Sequence, residues 1–136
     1  MARLLGTTSA RVQSDRVAAA LAWARKTGTV CVLKGHRTII TDGRTVYLNP
    51  TGNPGMATGG SGDVLMGILT GFLAQKAAHP ARGREKQSVL EAAAAAVYLH
   101  GLAGDIAARR KTEPALLAMD IAEALPEAYA RVLKPE

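Results

Sequence analysis

Cysteine is nearly absent from this chain: Cys31 stands alone in 136 residues. A lone cysteine forms no internal disulfide, which excludes a disulfide-stapled scaffold and fits a reducing cytoplasm. It lies in the apolar run Val30-Cys-Val-Leu33 and reads as a small core residue. Aromatic residues make up only 4% of the chain, too few to interleave with cations as a base-stacking platform. Long apolar runs are missing too. The stretch from Val64 to Ala74 is about half a membrane span, and Met1–Ala10 lacks the apolar core of a signal peptide. The three histidines, His36, His79 and His100, share no metal-ligand spacing with one another or with Cys31. No internal repeat and no low-complexity linker interrupts the chain.

The formal charge is +6, from 17 Lys+Arg against 11 Asp+Glu. The cations are dispersed. Their densest groups are Arg82, Arg84 and Lys86 in a loop expected over His79–Gln87, and Arg109, Arg110 and Lys111 at an expected helix end. Basic residues at a helix C-terminus are ordinary complements of its dipole. The balance therefore points away from nucleic acid and towards a small anionic substrate such as a nucleotide.

Glycine, by contrast, is concentrated. Five of the eleven residues from Gly52 to Gly62 are glycine, and a helical apolar pattern follows through Val64, Leu65, Ile68, Leu69, Phe72 and Leu73. A glycine-rich turn feeding a helix start makes an anion site, because the first amides of a helix are unpaired and its dipole favours negative charge there. Asp63 falls in the first turn, beside any phosphate so held. It is a candidate proton acceptor or orienting group for phosphoryl chemistry. Two familiar phosphate motifs are excluded. Ser61 stands where a P-loop needs lysine, and Leu65 stands where a G-x-G-x-x-G fingerprint needs its third glycine. A flexible turn ending in an acid-capped helix is the alternative.

Lys34-Gly-His-Arg-Thr38 is the second candidate. It follows an apolar strand, and open α/β sheets bind ligands at strand C-terminal ends. Lys34 supplies a point charge, Gly35 a close approach and Thr38 a hydroxyl. The alternative is a plain turn between strands.

Only three short strands are expected: Thr29–Leu33, Thr38–Thr41 and Thr45–Leu48, the last two joined by the Asp42-Gly43 turn. The rest reads as helix. Thr8 or Ser9 would cap a helix over about Ala10 to Lys26, with Val17, Leu21 and Ala24 on its apolar face, Trp23 on its flank, and Gly28 ending it. Gly67 and Gly71, four apart, would admit a close neighbour. An alanine-rich helix over Val89–Arg110 would bend or break near Gly101–Gly104, with His100 in core packing or bonded to a helix end. Asp120–Leu133 would form the last helix, with Pro126 a break or a new first turn. Three strands make a thin sheet, leaving helix faces exposed unless another chain, or a missing half of the domain, covers them.

Met1-Ala-Arg-Leu-Leu-Gly6, Val12-Gln-Ser-Asp-Arg16, Leu33-Lys-Gly-His-Arg-Thr38, the Asn53–Asp63 run with Val64-Leu-Met-Gly67, Tyr98-Leu-His-Gly101 and Ala103-Gly-Asp105 follow one another in order. Together they resemble the carbohydrate-kinase-like domain of the ADP/ATP-dependent NAD(P)H-hydrate dehydratases, in the ribokinase-like superfamily. The family's Met-Ala-Arg-Leu-Leu segment is internal, after a His-Pro-Gly-Glu-type loop and roughly the first half of the fold. The resemblance thus implies the C-terminal half of a ribokinase-like (Rossmann-like) α/β/α domain, with few strands and several helices, across residues 1–136.

It also implies a nucleotide site at Lys34, Gly35, His36, Arg37, Thr38, Asn53, Pro54, Gly55, Met56, Ala57, Thr58, Gly59, Gly60, Ser61 and Gly62. Asp63 would contact the substrate hydroxyl and take its proton. Mg²⁺ would arrive with ADP or ATP, and no protein metal site is implied. The substrate would be hydrated NADH or NADPH (NADHX or NADPHX). Its hydroxyl would be phosphorylated and lost as phosphate. Family members are commonly oligomers, so a homo-oligomer in the cytoplasm is expected. Two alternatives stay open: a small-molecule kinase of the same superfamily, and a non-catalytic or split fragment that needs a partner.

Overall fold

The computed structural model describes residues 1–78 and 88–134 in two compact units, Met1–Asn49 and Pro50–Glu136. The basic loop expected at His79–Gln87, with Arg82, Arg84 and Lys86, lies outside the described residues.

The first unit runs α1 (Ala2–Leu5), α2 (Ser9–Ser14), α3 (Arg16–Thr27), β1 (Cys31–Leu33), β2 (Ile39–Thr41) and β3 (Val46–Leu48). The single helix expected over Ala10–Lys26 is two. Thr8 Oγ1 accepts the Arg11 amide at 3.2 Å and caps α2. Asp15 then leaves helical geometry (φ −149°, ψ 85°), and its Oδ1 accepts the Ala18 amide at 2.8 Å, which starts α3 afresh. Gly28, at φ 66°, ends α3 as expected. The buried face of α3 is Ala20 and Ala24 rather than Val17, which stays exposed. These alanines pack with Cys31 and Ile39, flanked by Trp23, Leu33 and Val46.

The sheet is an antiparallel meander in the order β1-β2-β3, with Leu33 opposite Ile39 and Ile39 opposite Leu48. Asp42 Oδ1 accepts the amides of Arg44 and Thr45 at 2.9 and 2.8 Å and sets the β2–β3 turn. Because β1 and β2 are antiparallel, Lys34–Thr38 is a hairpin connection. The rule for ligands at the ends of parallel strands therefore does not place a site there.

The second unit contains a 3₁₀ turn (Pro54–Met56), α4 (Ser61–Ala78), α5 (Val89–Lys111), a 3₁₀ turn (Glu113–Ala115), α6 (Ala118–Glu123) and α7 (Leu125–Leu133). Pro126 sits in the first turn of α7, as expected of a new start. By length and composition α5 could cross a membrane, but its buried residues run from Leu90 to Ala107 and mark a core helix. Leu99, Ala103, Ile106 and Ala107 of α5 pack with Leu116, Ile121, Ala124 and Ala128. Ser88 and Glu91 form a full capping box at its start.

At the other end of α5, Arg110 pairs with Glu127, and Lys111 meets Asp120 at 3.1 Å. Of the expected bend or break near Gly101–Gly104, the break is absent: α5 is continuous. These glycines serve close packing instead. A Cβ on Gly101 would collide with Thr51, and one on Gly104 with the Met56 side chain. Gly67 and Gly71 do the opposite of what their spacing predicts. Among the described residues no atom beyond the helix's own backbone lies within 4 Å of where their Cβ would be, and they line an open cavity of about 340 Å³ with Val64, Phe72, Leu125 and Tyr129.

Candidate functional site

The Asn53–Asp63 run belongs wholly to the second unit and has two halves of different character. Its first half is fastened down. Thr51 Oγ1 donates to the Tyr98 carbonyl at 2.9 Å. Asp105 accepts the Gly52 amide on Oδ2 at 2.9 Å and the Asn53 side-chain amide on Oδ1 at 3.0 Å. Hydrogen bonds to an ionised carboxylate are the stronger kind. A Cβ on Gly55 would strike the Glu113 backbone. The chain then turns through Pro54–Met56, with the Met56 amide on Asn53 O at 3.2 Å and Ala57 on Pro54 O at 3.0 Å. Asn53 Oδ1 is buried and has no partner among the described residues.

The second half is open. Gly60 takes φ 86°, a left-handed turn that glycine adopts without steric cost, and accepts the Asp63 and Val64 amides at 3.0 and 3.1 Å. Among the described residues, chain neighbours aside, nothing lies within 4 Å of a Cβ built on Gly59. No described residue accepts from the amides of Gly59, Gly60 and Gly62. Ser61, buried, opens α4, and its carbonyl lies 2.9 Å from His100 Nε2. A carbonyl only accepts, so Nε2 carries the hydrogen. The expected helix-end bond of His100 is thus present, on α4. Asp63 is exposed in the first turn of α4.

Unpaired amides, the positive end of an 18-residue helix and room for a ligand at Gly59 suit an anionic group such as a nucleotide phosphate. Among the described residues no group of three or more His, Cys, Asp or Glu could hold a metal ion.

Lys34, Gly35, His36, Arg37 and Thr38 belong to the first unit. Lys34, His36 and Arg37 are exposed. Thr38 Oγ1 donates to Gly35 O at 3.1 Å, so its hydroxyl closes the turn and keeps only acceptor capacity.

Sequence reasoning gave Asp105, His100 and Arg16 no site role, although all three lie in the quoted segments. The available signal for Asp105 was the glycine pair just before it, which an alanine-rich helix does not need.

A family profile described as NAD(P)H-hydrate dehydratase matches residues 1–127. The bifunctional NAD(P)H-hydrate repair enzyme Nnr of Moorella thermoacetica is 52% identical over 93% of this chain and 22% of its own length. The ADP-dependent (S)-NAD(P)H-hydrate dehydratase of Neisseria meningitidis is 47% identical over 77% of this chain and 32% of its own. Among solved structures, an ADP/ATP-dependent NAD(P)H-hydrate dehydratase from Bacillus subtilis, co-crystallised with ATP and Mg²⁺, matches at TM-score 0.76. It is 35% identical over 88% of this chain and 40% of that one. The chain thus spans less than half the length of each, and its α/β fold is part of a ribokinase-like one.

Proposed function

The chain belongs to the NAD(P)H-hydrate dehydratase family, and from that premise we propose that it supplies the nucleotide-binding and proton-accepting part of an enzyme that returns NADHX or NADPHX to NADH or NADPH. The observation that carries the reading is the open half of the glycine run, where three amides that no described residue accepts from lead into the first turn of α4 and its Asp63 carboxylate.

In this reading the amides of Gly59, Gly60 and Gly62 hold the transferring phosphoryl group as charge builds on its oxygens. Asp63 accepts the proton of the hydrate hydroxyl as that oxygen attacks phosphorus. ADP would leave as AMP, or ATP as ADP. The ring C–O bond then breaks with phosphate as leaving group, and loss of a ring proton restores the double bond. Mg²⁺, bound to the nucleotide, offsets phosphate charge. Lys34–Thr38 supplies further nucleotide contacts, and residues 1–136 act as part of one ribokinase-like domain. Exposed Leu117, Met119 and Leu133 favour self-association of the chain. A reducing cytoplasm suits Cys31, whose thiol is pushed up by burial and stays protonated.

The test is incubation with NADPHX, Mg²⁺ and either ADP or ATP, following recovery of reduced-nicotinamide absorbance. Recovery that needs one nucleotide, with release of inorganic phosphate, is the expected result. A stable phosphorylated product would instead establish a small-molecule kinase. A folded chain that binds neither nucleotide would refute the site.

A further inference from the structure

We propose that Arg16 is a positioning residue for the Lys34–Thr38 turn, setting three of its amides outward as a phosphate-binding nest. The proposal rests on the reading of that turn as part of the nucleotide site. Arg16 opens α3, where the Asp15 cap fixes the helix start. Its guanidinium reaches across to the turn. Nη1 donates to His36 O at 2.5 Å, and Nη2 donates to Leu33 O and Lys34 O, each at 3.1 Å.

The consequence follows from peptide geometry. In a trans peptide the carbonyl and the amide of the same plane point in opposite directions, and the described residues contain no cis bond. Carbonyls 33, 34 and 36 converge on one guanidinium. The amides sharing those planes, on Lys34, Gly35 and Arg37, are therefore turned away from it. No described residue accepts from any of the three. Successive outward amides in a turn form an anion-binding concavity, and the exposed Lys34 and Arg37 side chains add positive charge beside it. The remaining carbonyl, Gly35 O, is taken by the Thr38 hydroxyl.

The turn is held under strain. Arg37 sits at φ 51°, in the left-handed region that non-glycine residues avoid, while Gly35 takes φ 142°, which glycine adopts freely. Such geometry persists only where neighbours over-determine it, and the guanidinium fork does so here. A Cβ on Gly35 would stand 2.7 Å from Arg16 Nη2 and displace it. Lysine has the charge of arginine but no planar fork able to span three carbonyls. Arg16→Lys therefore separates positioning from charge.

The full chain and its Arg16→Lys and Arg16→Ala variants would be titrated with Mg-ADP by calorimetry and by amide NMR, with melting temperatures and ¹⁵N order parameters measured without ligand. Positioning predicts that ADP shifts the amides of Lys34, Gly35 and Arg37. It also predicts that Arg16→Lys weakens ADP about tenfold or more while melting stays within a few degrees. Order parameters across Lys34–Arg37 should fall from about 0.85 to below about 0.6 in that variant. Wild-type affinity in Arg16→Lys would show that charge suffices and would overturn the proposal. If the wild type took up no ADP, the functional reading would fail, and the order parameters would still decide whether Arg16 sets the turn.

Discussion

His100 donates from Nε2 to the Ser61 carbonyl at 2.9 Å, with both residues buried, and so fastens α5 to the first residue of α4. The helix that carries Asp63 is thereby anchored two residues before the carboxylate. His100→Ala leaves that carbonyl buried without this donor, at a cost of about 1–3 kcal/mol. The expected result is a lower urea midpoint with an unchanged denaturant slope, partly restored in His100→Gln, which keeps a donor. An unaltered midpoint in His100→Ala would count against the anchor.

The helical glycines give opposite signs. Glycine to alanine inside an exposed helix ordinarily gains about 1 kcal/mol. Gly67→Ala and Gly71→Ala, whose Cβ would meet no described atom outside their own helix backbone within 4 Å, should show that gain. Gly101→Ala should instead destabilise by about 1–3 kcal/mol, because its Cβ would lie 2.8 Å from the Thr51 carbonyl carbon and backbone must move. The nearest atoms to the Cβ of Gly104→Ala are those of the flexible Met56 side chain, so this variant should fall between them. Thermal melts of the four variants check the order, and a stabilised Gly101→Ala would refute the close packing.

The two acids of the candidate site should separate by function. Asp63→Asn is expected to leave ADP affinity within about twofold and to lower turnover by about 10²–10⁴. Asp105→Ala frees the Gly52 amide and the Asn53 side chain and should weaken ADP by about tenfold. Asp105→Asn keeps an acceptor for one of them and should be milder. Calorimetry with ADP, set beside single-turnover rates, distinguishes the patterns. Near-normal turnover in Asp63→Asn would remove that residue from the chemistry.

Acid should destabilise the fold through three identified carboxylates. Asp42 is held below its ordinary range first by the Thr45 amide and then by the Arg44 amide. The Leu117 amide does the same for Asp120, followed by Lys111. Glu127 is lowered first by Arg131, with Arg110 adding to it. A lowered folded-state value means that the unfolded chain binds more protons as pH falls. Their stabilisation is then present above the unfolded carboxylate range near pH 4 and is lost as pH drops through the folded values. The melting temperature should decline below about pH 4, and less steeply in Asp42→Asn and Asp120→Asn. Asp42 is exposed and the Glu127 ion pairs reach solvent, whereas the Asp120 side chain is only 10% exposed, so added salt should shrink the Glu127 share more than the Asp120 share. A pH profile identical to wild type in Asp120→Asn would exclude its share.

Periodicity and glycine placement made most of the architecture legible. The α4 start at Ser61, the Gly28 stop, the Asp42-Gly43 turn and the Pro126 restart all follow from local chemistry that a single stretch of sequence displays. Long-range packing stayed hidden. Gly101 and Gly104 read as a weak point in a helix because nothing beside them announces that Thr51 and Met56, some fifty residues earlier, press against that face. Asp15 looked like one more residue in a long helix because its cap competes with helical pairing only by a local hydrogen bond. Within the candidate site, the amides of the glycine run were foreseeable. The partners of Asp105 and Arg16 were not, since Arg16 reaches backbone carbonyls and Asp105 a backbone amide and an Asn53 side chain, all distant in sequence.

Gly59 lies outside the positive-φ set, and no described atom beyond its chain neighbours comes within 4 Å of where a methyl group would sit. The fold itself therefore tolerates alanine there. Whatever penalty Gly59→Ala incurs must come from the visitor rather than the host, so this one position can report the outline of the bound phosphate while leaving the folded protein undisturbed.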